Sequence, residues 1–238
     1  MNRIWNVVRL HLANRWGYLG TPWVIVAVTF VISYLVWLVI WNTVDQAGRS
    51  TIIEGTQLSG AIAAIFVYLL VVAAQSMTVT FPFAQGYSVT RREFYLGTSL
   101  LFVLVSALNA VIFTALGLLE WLTNGWGIQG SFFTIAWFGG DWLQRGYMFF
   151  ALQLFFMFLG ASVATIYLRW RRAGMVVFWI GFAAVLVSSI ALVTSASAWP
   201  ALGAWFAASG IVGVASWTIL LALVAAAFGF AVMRRAAP

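Results

Sequence analysis

Long apolar runs separated by short polar interruptions set the pattern of this chain. Charged residues leave five intervals free, at 16–44, 55–90, 94–119, 146–168 and 173–233. A membrane-crossing helix needs about 20 apolar residues. The first four intervals therefore hold one span each, and the last, 61 residues long, holds two with a turn between them. The pattern predicts an all-α integral membrane protein with six spans, at about residues 23–41, 58–83, 96–119, 147–168, 175–195 and 211–233. Residues 121–140 also lack charge, but Gly125, Gly127, Gly130, Gly139 and Gly140, with Asn124 and Gln129, favour a loop carrying an interfacial or re-entrant piece.

Ahead of the first span the period changes. At about 100° per residue, Ile4, Trp5, Val8, Leu12, Trp16 and Leu19 share one face, with Arg3, Asn6, Asn14 and Gly17 opposite. Arginines with tryptophan at the apolar edge suit a helix lying on the membrane surface. Residues 1–20 are expected to form this cytoplasmic interfacial helix, and residues 21–238 the six-span domain. Gly17, Gly20, Thr21 and Pro22 predict a break between the two, with Thr21 as N-cap and Pro22 at the first helical position. The first 20 residues lack the compact apolar core of a secretory leader. His11 reads as an interfacial polar residue without chemistry.

Composition narrows the function classes. The chain is 64% hydrophobic and 7% charged, whereas about a quarter of a soluble domain is charged. All 12 basic residues are arginine, so neither a P-loop nor a lysine Schiff base can be built. The absence of cysteine removes thiolate chemistry, and the single histidine cannot build a multi-histidine zinc site. No expected span interior holds an ionisable residue, which speaks against a proton relay. No nucleophile with a base, or pair of carboxylates, marks a membrane enzyme. Glu120 and Arg145 fall at outer span ends and read as interfacial charges. Gln75, Thr78, Asn109, Thr114 and Gln153 are the polar candidates for lining a translocation path, or for hydrogen-bonding helices together.

Charge also predicts orientation. With six spans both termini share a side, and that side collects Arg3, Arg9, Arg15, Arg91, Arg92, Arg169, Arg171, Arg172, Arg234 and Arg235, with Glu93 its only acid. Arg49 and Arg145 fall opposite, with Asp45, Glu54, Glu120 and Asp141. The arginine-rich side is expected to be cytoplasmic. This bias accounts for a pI near 10.6 without any nucleic-acid partner.

The stretch between the second and third spans has a helix-start signal. Thr90 and Glu93 stand at capping-box spacing, and Val89 and Phe94 at the staple positions outside it. Arg91 and Arg92 then place two cations in a first turn, where the helix dipole disfavours them. Either they orient the flanking spans or they face an acidic partner.

The run Gly86-Tyr87-Ser88-Val89-Thr90-Arg91-Arg92-Glu93-Phe94-Tyr95-Leu96-Gly97-Thr98, together with six expected spans, cytoplasmic termini and an interfacial N-terminal helix, resembles the permease subunits of type-two ABC transporters, which are mostly exporters. The resemblance covers the whole chain in layout and this one run in sequence. It implies that Thr90, Arg91, Arg92, Glu93, Phe94 and Tyr95 form a coupling segment that docks into a separate cytoplasmic ATP-binding cassette ATPase. ATP and magnesium would bind in that partner, with no cofactor in this chain. It also implies a second permease, identical or homologous, within a bacterial inner or plasma membrane. The apolar reversal around Pro200 would correspond to the family's outer re-entrant piece. Because the candidate path is polar but uncharged, the expected cargo is amphipathic or apolar: a drug, lipid or peptide. The competing expectations are a substrate-binding or scaffold membrane subunit of another multi-subunit complex and, in third place, a membrane enzyme.

Overall fold

The computed structural model describes residues 2–234, which are overwhelmingly helical and contain no strand. Five helical runs are long and apolar enough to cross a membrane: Trp16–Thr43, Ala63–Gly86, Arg91–Leu122, Trp142–Ser195 and Trp199–Arg234. This is the composition and architecture of a membrane-embedded protein. Arg235, one of the arginines used to orient the chain, lies outside the described residues.

The amphipathic helix is present as α1 (Asn2–Leu12), with its buried face rotated from the centre of the apolar stripe toward Val7 and His11. Val7, Val8 and His11 are buried, whereas Trp5 and Trp16 are 46% and 64% exposed. The reason lies in its partner, α6 (Arg91–Leu122). At Gly97 of α6 an added Cβ would come within 2.6 Å of Val7 Cβ and 2.8 Å of the Ile4 carbonyl oxygen. The missing side chain lets α1 settle against α6 by its Val7 edge, which leaves Trp5 outward.

The expected break at Gly20, Thr21 and Pro22 falls earlier. The chain turns at residues 13–14 and is helical again through a wide π-type turn, Trp16–Gly20, that runs without interruption into α2 (Thr21–Thr43). Thr21 is not an N-cap: its backbone is helical (φ −57°, ψ −40°) and its amide donates to the Trp16 carbonyl. The same construction recurs after α4 (Ala63–Gln75), where a wide turn, Ser76–Thr80, leads into α5 (Phe81–Gly86) and the Phe81 amide donates to the Ser76 carbonyl. Proline explains both. Pro22 and Pro82 each stand two residues beyond a wide turn, lack an amide, and would press their rings on the carbonyl four residues back in a regular helix. Widening the turn to bonds five residues apart moves that carbonyl aside.

Residues 42–57, between the first two expected spans, contain α3 (Gln46–Gln57), whose N-cap Asp45 accepts from the Gly48 amide at 3.0 Å. The inner packing is set by α6 against α7 (Trp142–Ser195). Phe102 meets Phe158, Ser106 meets Met157, Phe113 stacks on Phe149 with centroids 4.3 Å apart, and Trp121 meets Trp142. One number rises as the other falls, so the two helices are antiparallel. α4 runs parallel to α7, with Phe66 against Phe149 and Phe156 and the Leu70 carbonyl lying on Gly160. The latter part of α8 (Trp199–Arg234) also runs parallel to it, through Tyr147–Ser216 and Ser162–Ala225.

Two long helices are interrupted. α7 has 54 residues and would be about 81 Å long if straight, against a hydrocarbon core of about 30 Å. It breaks at Arg171 (φ 53°, ψ −143°), between the spans expected at 147–168 and 175–195. Before that break α7 carries much of the core; beyond it nearly every side chain is exposed. The reversal near Pro200 is a turn at residues 196–198, with Ser197 at φ 51°, and Pro200 then sits in the first turn of α8. α8 bends again at Gly210 (φ 59°, ψ −177°). The Trp205 and Trp217 rings are 5.9 Å apart, where a straight helix would separate them by about 18 Å.

Candidate functional site

The capped stretch folds as its residues suggest. Thr90 is extended (φ −72°, ψ 152°), its hydroxyl oxygen accepts from the Glu93 amide at 3.2 Å, and Glu93 Oε2 accepts from the Thr90 amide at 3.1 Å. The other carboxylate oxygen of Glu93 lies 3.6 Å from the Arg3 guanidinium of α1. Glu93 thus closes the cap and tethers the N-terminal helix at once. No separate helix forms here: residues 90–95 are the N-cap and first turns of α6 itself. Phe94 and Tyr95 point inward. Phe94 packs on His11 and Phe81, and Tyr95 donates to the Ala226 carbonyl at 2.7 Å. The surface left at this tip consists of Thr90, Arg91, Arg92 and Glu93, with the exposed rings of Phe83 and Tyr87 beside it.

Behind that tip the two wide turns face each other. Tyr18 in the first bonds to Ser76 in the second, and His11 lies between Tyr18 (3.4 Å) and Thr98 of α6 (2.9 Å). Counting protons gives this cluster a direction. The Ser76 hydroxyl donates to the Val72 carbonyl at 2.9 Å, so its oxygen must accept from Tyr18. Tyr18 then has no proton for His11, whose Nδ1–H donates to the phenol oxygen while Nε2 accepts from the Thr98 hydroxyl. Four elements are joined in one chain of bonds: α6, α1, the first wide turn and the second. Burial pushes the His11 imidazole down to about 4, which keeps it in the neutral form this chain requires. His11 is therefore an organising residue of the helix packing, not the bystander expected at the membrane surface.

A polar cavity of about 350 Å³ opens beside these bonds, between the first wide turn and the end of α4. Gln75 is on its wall and Thr78 is in the adjoining wide turn, where it donates to the Ala74 carbonyl at 3.1 Å. The other three path candidates lie elsewhere. Asn109 and Gln153 are fully buried on α6 and α7, and the antiparallel register that pairs Ser106 with Met157 and Phe113 with Phe149 sets them opposite each other. Trp23 donates to Asn109 Oδ1 at 2.9 Å. Asn109 Nδ2 and both polar atoms of Gln153 have no partner among the described residues. Thr114, one turn further along α6, lines an apolar groove of about 530 Å³ with Trp142 and Tyr147. The five candidates thus form two groups, one at the wide turns and one within the α6–α7 seam.

At the far end of α6 the structure corrects the reading of Glu120 as an interfacial charge. Glu120 is 1% exposed. Its carboxylate accepts from Trp126 Nε1 at 2.7 Å, from the amides of Phe132, Phe133 and Thr134 at 2.8–3.2 Å, and from the Thr134 hydroxyl. The glycine-rich segment is a loop wrapped around this one carboxylate, and it inserts Phe132, Phe133 and Phe138 into the end of the core. Arg145 is no free surface charge either: its Nε donates to the Gly139 carbonyl at 2.6 Å and its guanidinium lies over Trp142.

No protein-family model, curated protein or solved structure matches this chain. The function must therefore be argued from its own geometry. Among the described residues no group of acids and histidine could hold a metal ion.

Sequence reasoning missed Tyr18, Ser76 and Thr98 as one cluster with His11. The signal was the repeated spacing of Pro22 and Pro82 behind polar residues, which marks two distorted helices but says nothing of their meeting. Glu120 had a weaker signal: a lone acid followed by a segment rich in glycine and small polar residues, whose backbone amides need an acceptor.

Proposed function

We propose that this chain is the membrane-spanning permease subunit of an ATP-driven exporter, energised by a separate cytoplasmic ATPase that binds ATP and magnesium. The observation that carries the reading is the tip of α6: a complete capping box, exposed, bearing Arg91 and Arg92 in a first turn and tied to α1 through Arg3 and Glu93. Two cations at a helix start oppose the dipole, so their placement favours a use outside the helix. An acidic groove on a partner would supply it, through charge-assisted hydrogen bonds strengthened as docking removes water.

The rest of the reading follows from this tip. The break of α7 at Arg171 supports a reading with six spans, and the arginine bias supports a tip and termini on the cytoplasmic side of a bacterial inner or plasma membrane. The exposed apolar faces of residues 173–209 are available to lipid and to a second permease. The cargo is an amphipathic or apolar molecule, because the buried polar groups at Asn109 and Gln153 carry no charge.

The test is co-purification of the native ATPase with the tagged chain, and ATP hydrolysis by the recovered complex, for Arg91→Gln/Arg92→Gln and for Glu93→Gln. The double variant is expected to insert with unchanged topology and lose the ATPase. Retention of the ATPase at the wild-type ratio would reject the docking role and leave the arginines as topology signals. A second reading, a small-molecule-binding subunit of another complex, is favoured by the polar cavity beside α1. Recovery of a bound small molecule with no P-loop subunit would select it.

A further inference from the structure

The cavity between the wide turns is lined by uncharged polar groups, with Leu10 and Val72 among them. Its floor is Tyr18, Ser76 and His11, which are 6%, 2% and 4% exposed and already bonded to one another. Its rim is Asn14, Trp16 and Gln75, all exposed. The Asn14 and Gln75 amides have no partner among the described residues, so each offers both a donor and an acceptor. Tyr68 and Thr80 complete the side walls, and Tyr68 is held in place by donating to the Gly17 carbonyl at 3.1 Å. No acid, arginine or lysine is among the lining residues. Arg15 lies between two of them in sequence but is exposed and not part of the wall.

We propose that this cavity binds an uncharged, hydroxyl-rich headgroup, the sugar or polyol end of a membrane lipid. Three features select that chemistry. A volume of about 350 Å³ is at the small end of the range for ligand sites, about 300–1,000 Å³, and suits a headgroup. The unpaired Asn14 and Gln75 amides, with the Thr80 hydroxyl, match a ligand that both donates and accepts, and the walls offer no counter-charge to a phosphate or an ammonium group. Trp16 and Tyr68 provide apolar ring faces against which the carbon side of a sugar can lie. The position selects the source: α1 is an amphipathic helix with Trp5 outward, and the wide turn after it exposes Trp16, so the mouth lies at headgroup depth beside them. The proposal rests on the membrane-embedded reading and is independent of the ATPase.

Native mass spectrometry of the full chain, released from a detergent without a sugar headgroup, tests it with three probes: diglucosyl diacylglycerol, phosphatidylglycerol and free maltose. The diglucosyl lipid is expected to be retained, and Asn14→Ala/Gln75→Ala to weaken its retention about tenfold, as the loss of one or two hydrogen bonds would. Both positions are exposed, so the variant keeps its packing; an unchanged melting temperature checks this. Retention of the diglucosyl lipid unaltered by the double variant would overturn the proposal. So would phosphatidylglycerol held as tightly and lost through the same substitutions. Maltose separates the sources: competition shows that the sugar alone is recognised, and failure to compete shows that its lipid-linked form is, both of which support the chemistry assigned. Because the measurement uses the chain alone, a negative result leaves the ATPase-docking proposal standing.

Discussion

Tyr18 and Ser76 hydrogen-bond hydroxyl to hydroxyl across the seam between two wide helical turns, each turn followed two residues later by a proline. The bond joins α2 to α4 at the one level where both helices are distorted. Tyr18→Phe keeps the ring and removes the proton, leaving the His11 Nδ1–H without its acceptor. We expect a loss of about 1–3 kcal/mol, the range for stranding a buried polar group. Thermal unfolding in detergent of Tyr18→Phe, Ser76→Ala and the double variant checks it. The double variant should lose less than the sum of the single ones; simple additivity would show that the two hydroxyls are not coupled.

His11 makes the packing of α1 sensitive to pH. Its imidazole is pushed from 6.5 down to about 4 by burial, so between these values the unfolded chain binds a proton that the folded one refuses. The neutral ring's contribution is fully present above about pH 6.5 and is lost as pH falls toward 4. The full span amounts to about 3 kcal/mol. Melting temperatures of wild type and His11→Gln from pH 7.5 to 4 should converge as the medium becomes acid. Parallel curves would contradict a buried neutral histidine. The comparison with the variant removes every contribution that the two proteins share.

Glu120→Gln should loosen the glycine-rich loop without unfolding the bundle. The amide replaces one acceptor oxygen by a donor, facing backbone amides of residues 132–134 that can only donate. The expected cost is about 2–3 kcal/mol, since bonds to a charged acceptor are the stronger ones. Limited proteolysis should cut the variant between residues 123 and 141 at a protease level that spares the wild type. Equal resistance would mean that the buried aromatics hold the loop unaided.

Gln153 and Asn109 are expected to trade stability for function. Three of their polar atoms lack partners among the described residues, and replacing such a group by an apolar one of similar shape is neutral or stabilising. Gln153→Leu should raise the unfolding midpoint, by the equivalent of about 1–2 kcal/mol, and lower cargo movement in reconstituted vesicles. A variant both less stable and fully active would show that Gln153 is interhelical glue.

The sequence by itself determined that this chain is helical and apolar enough to live in a membrane, because a charge-free interval of sufficient length has one economical structure in lipid. It determined the start of α6 as well: Thr90, Glu93 and Phe94 interact within one helical turn, and local geometry suffices. The interruption at residues 169–172 was legible for the same reason, three arginines in four positions being unable to continue an apolar span. Tertiary structure alone decided the rest. How far α1 is rotated depends on Gly97, about 90 positions away, where an absent side chain admits Val7 beside Val8 of the apolar stripe. His11, Tyr18, Ser76 and Thr98 come from four elements, and no periodicity relates them. Glu120 looked like a cheap charge at a span end because the loop donors' need for an acceptor was invisible: five donors gather on it only when the loop folds back over the end of α6. Local signals are written in consecutive residues, whereas close approach and polar satisfaction are properties of pairs that only the packed bundle brings together.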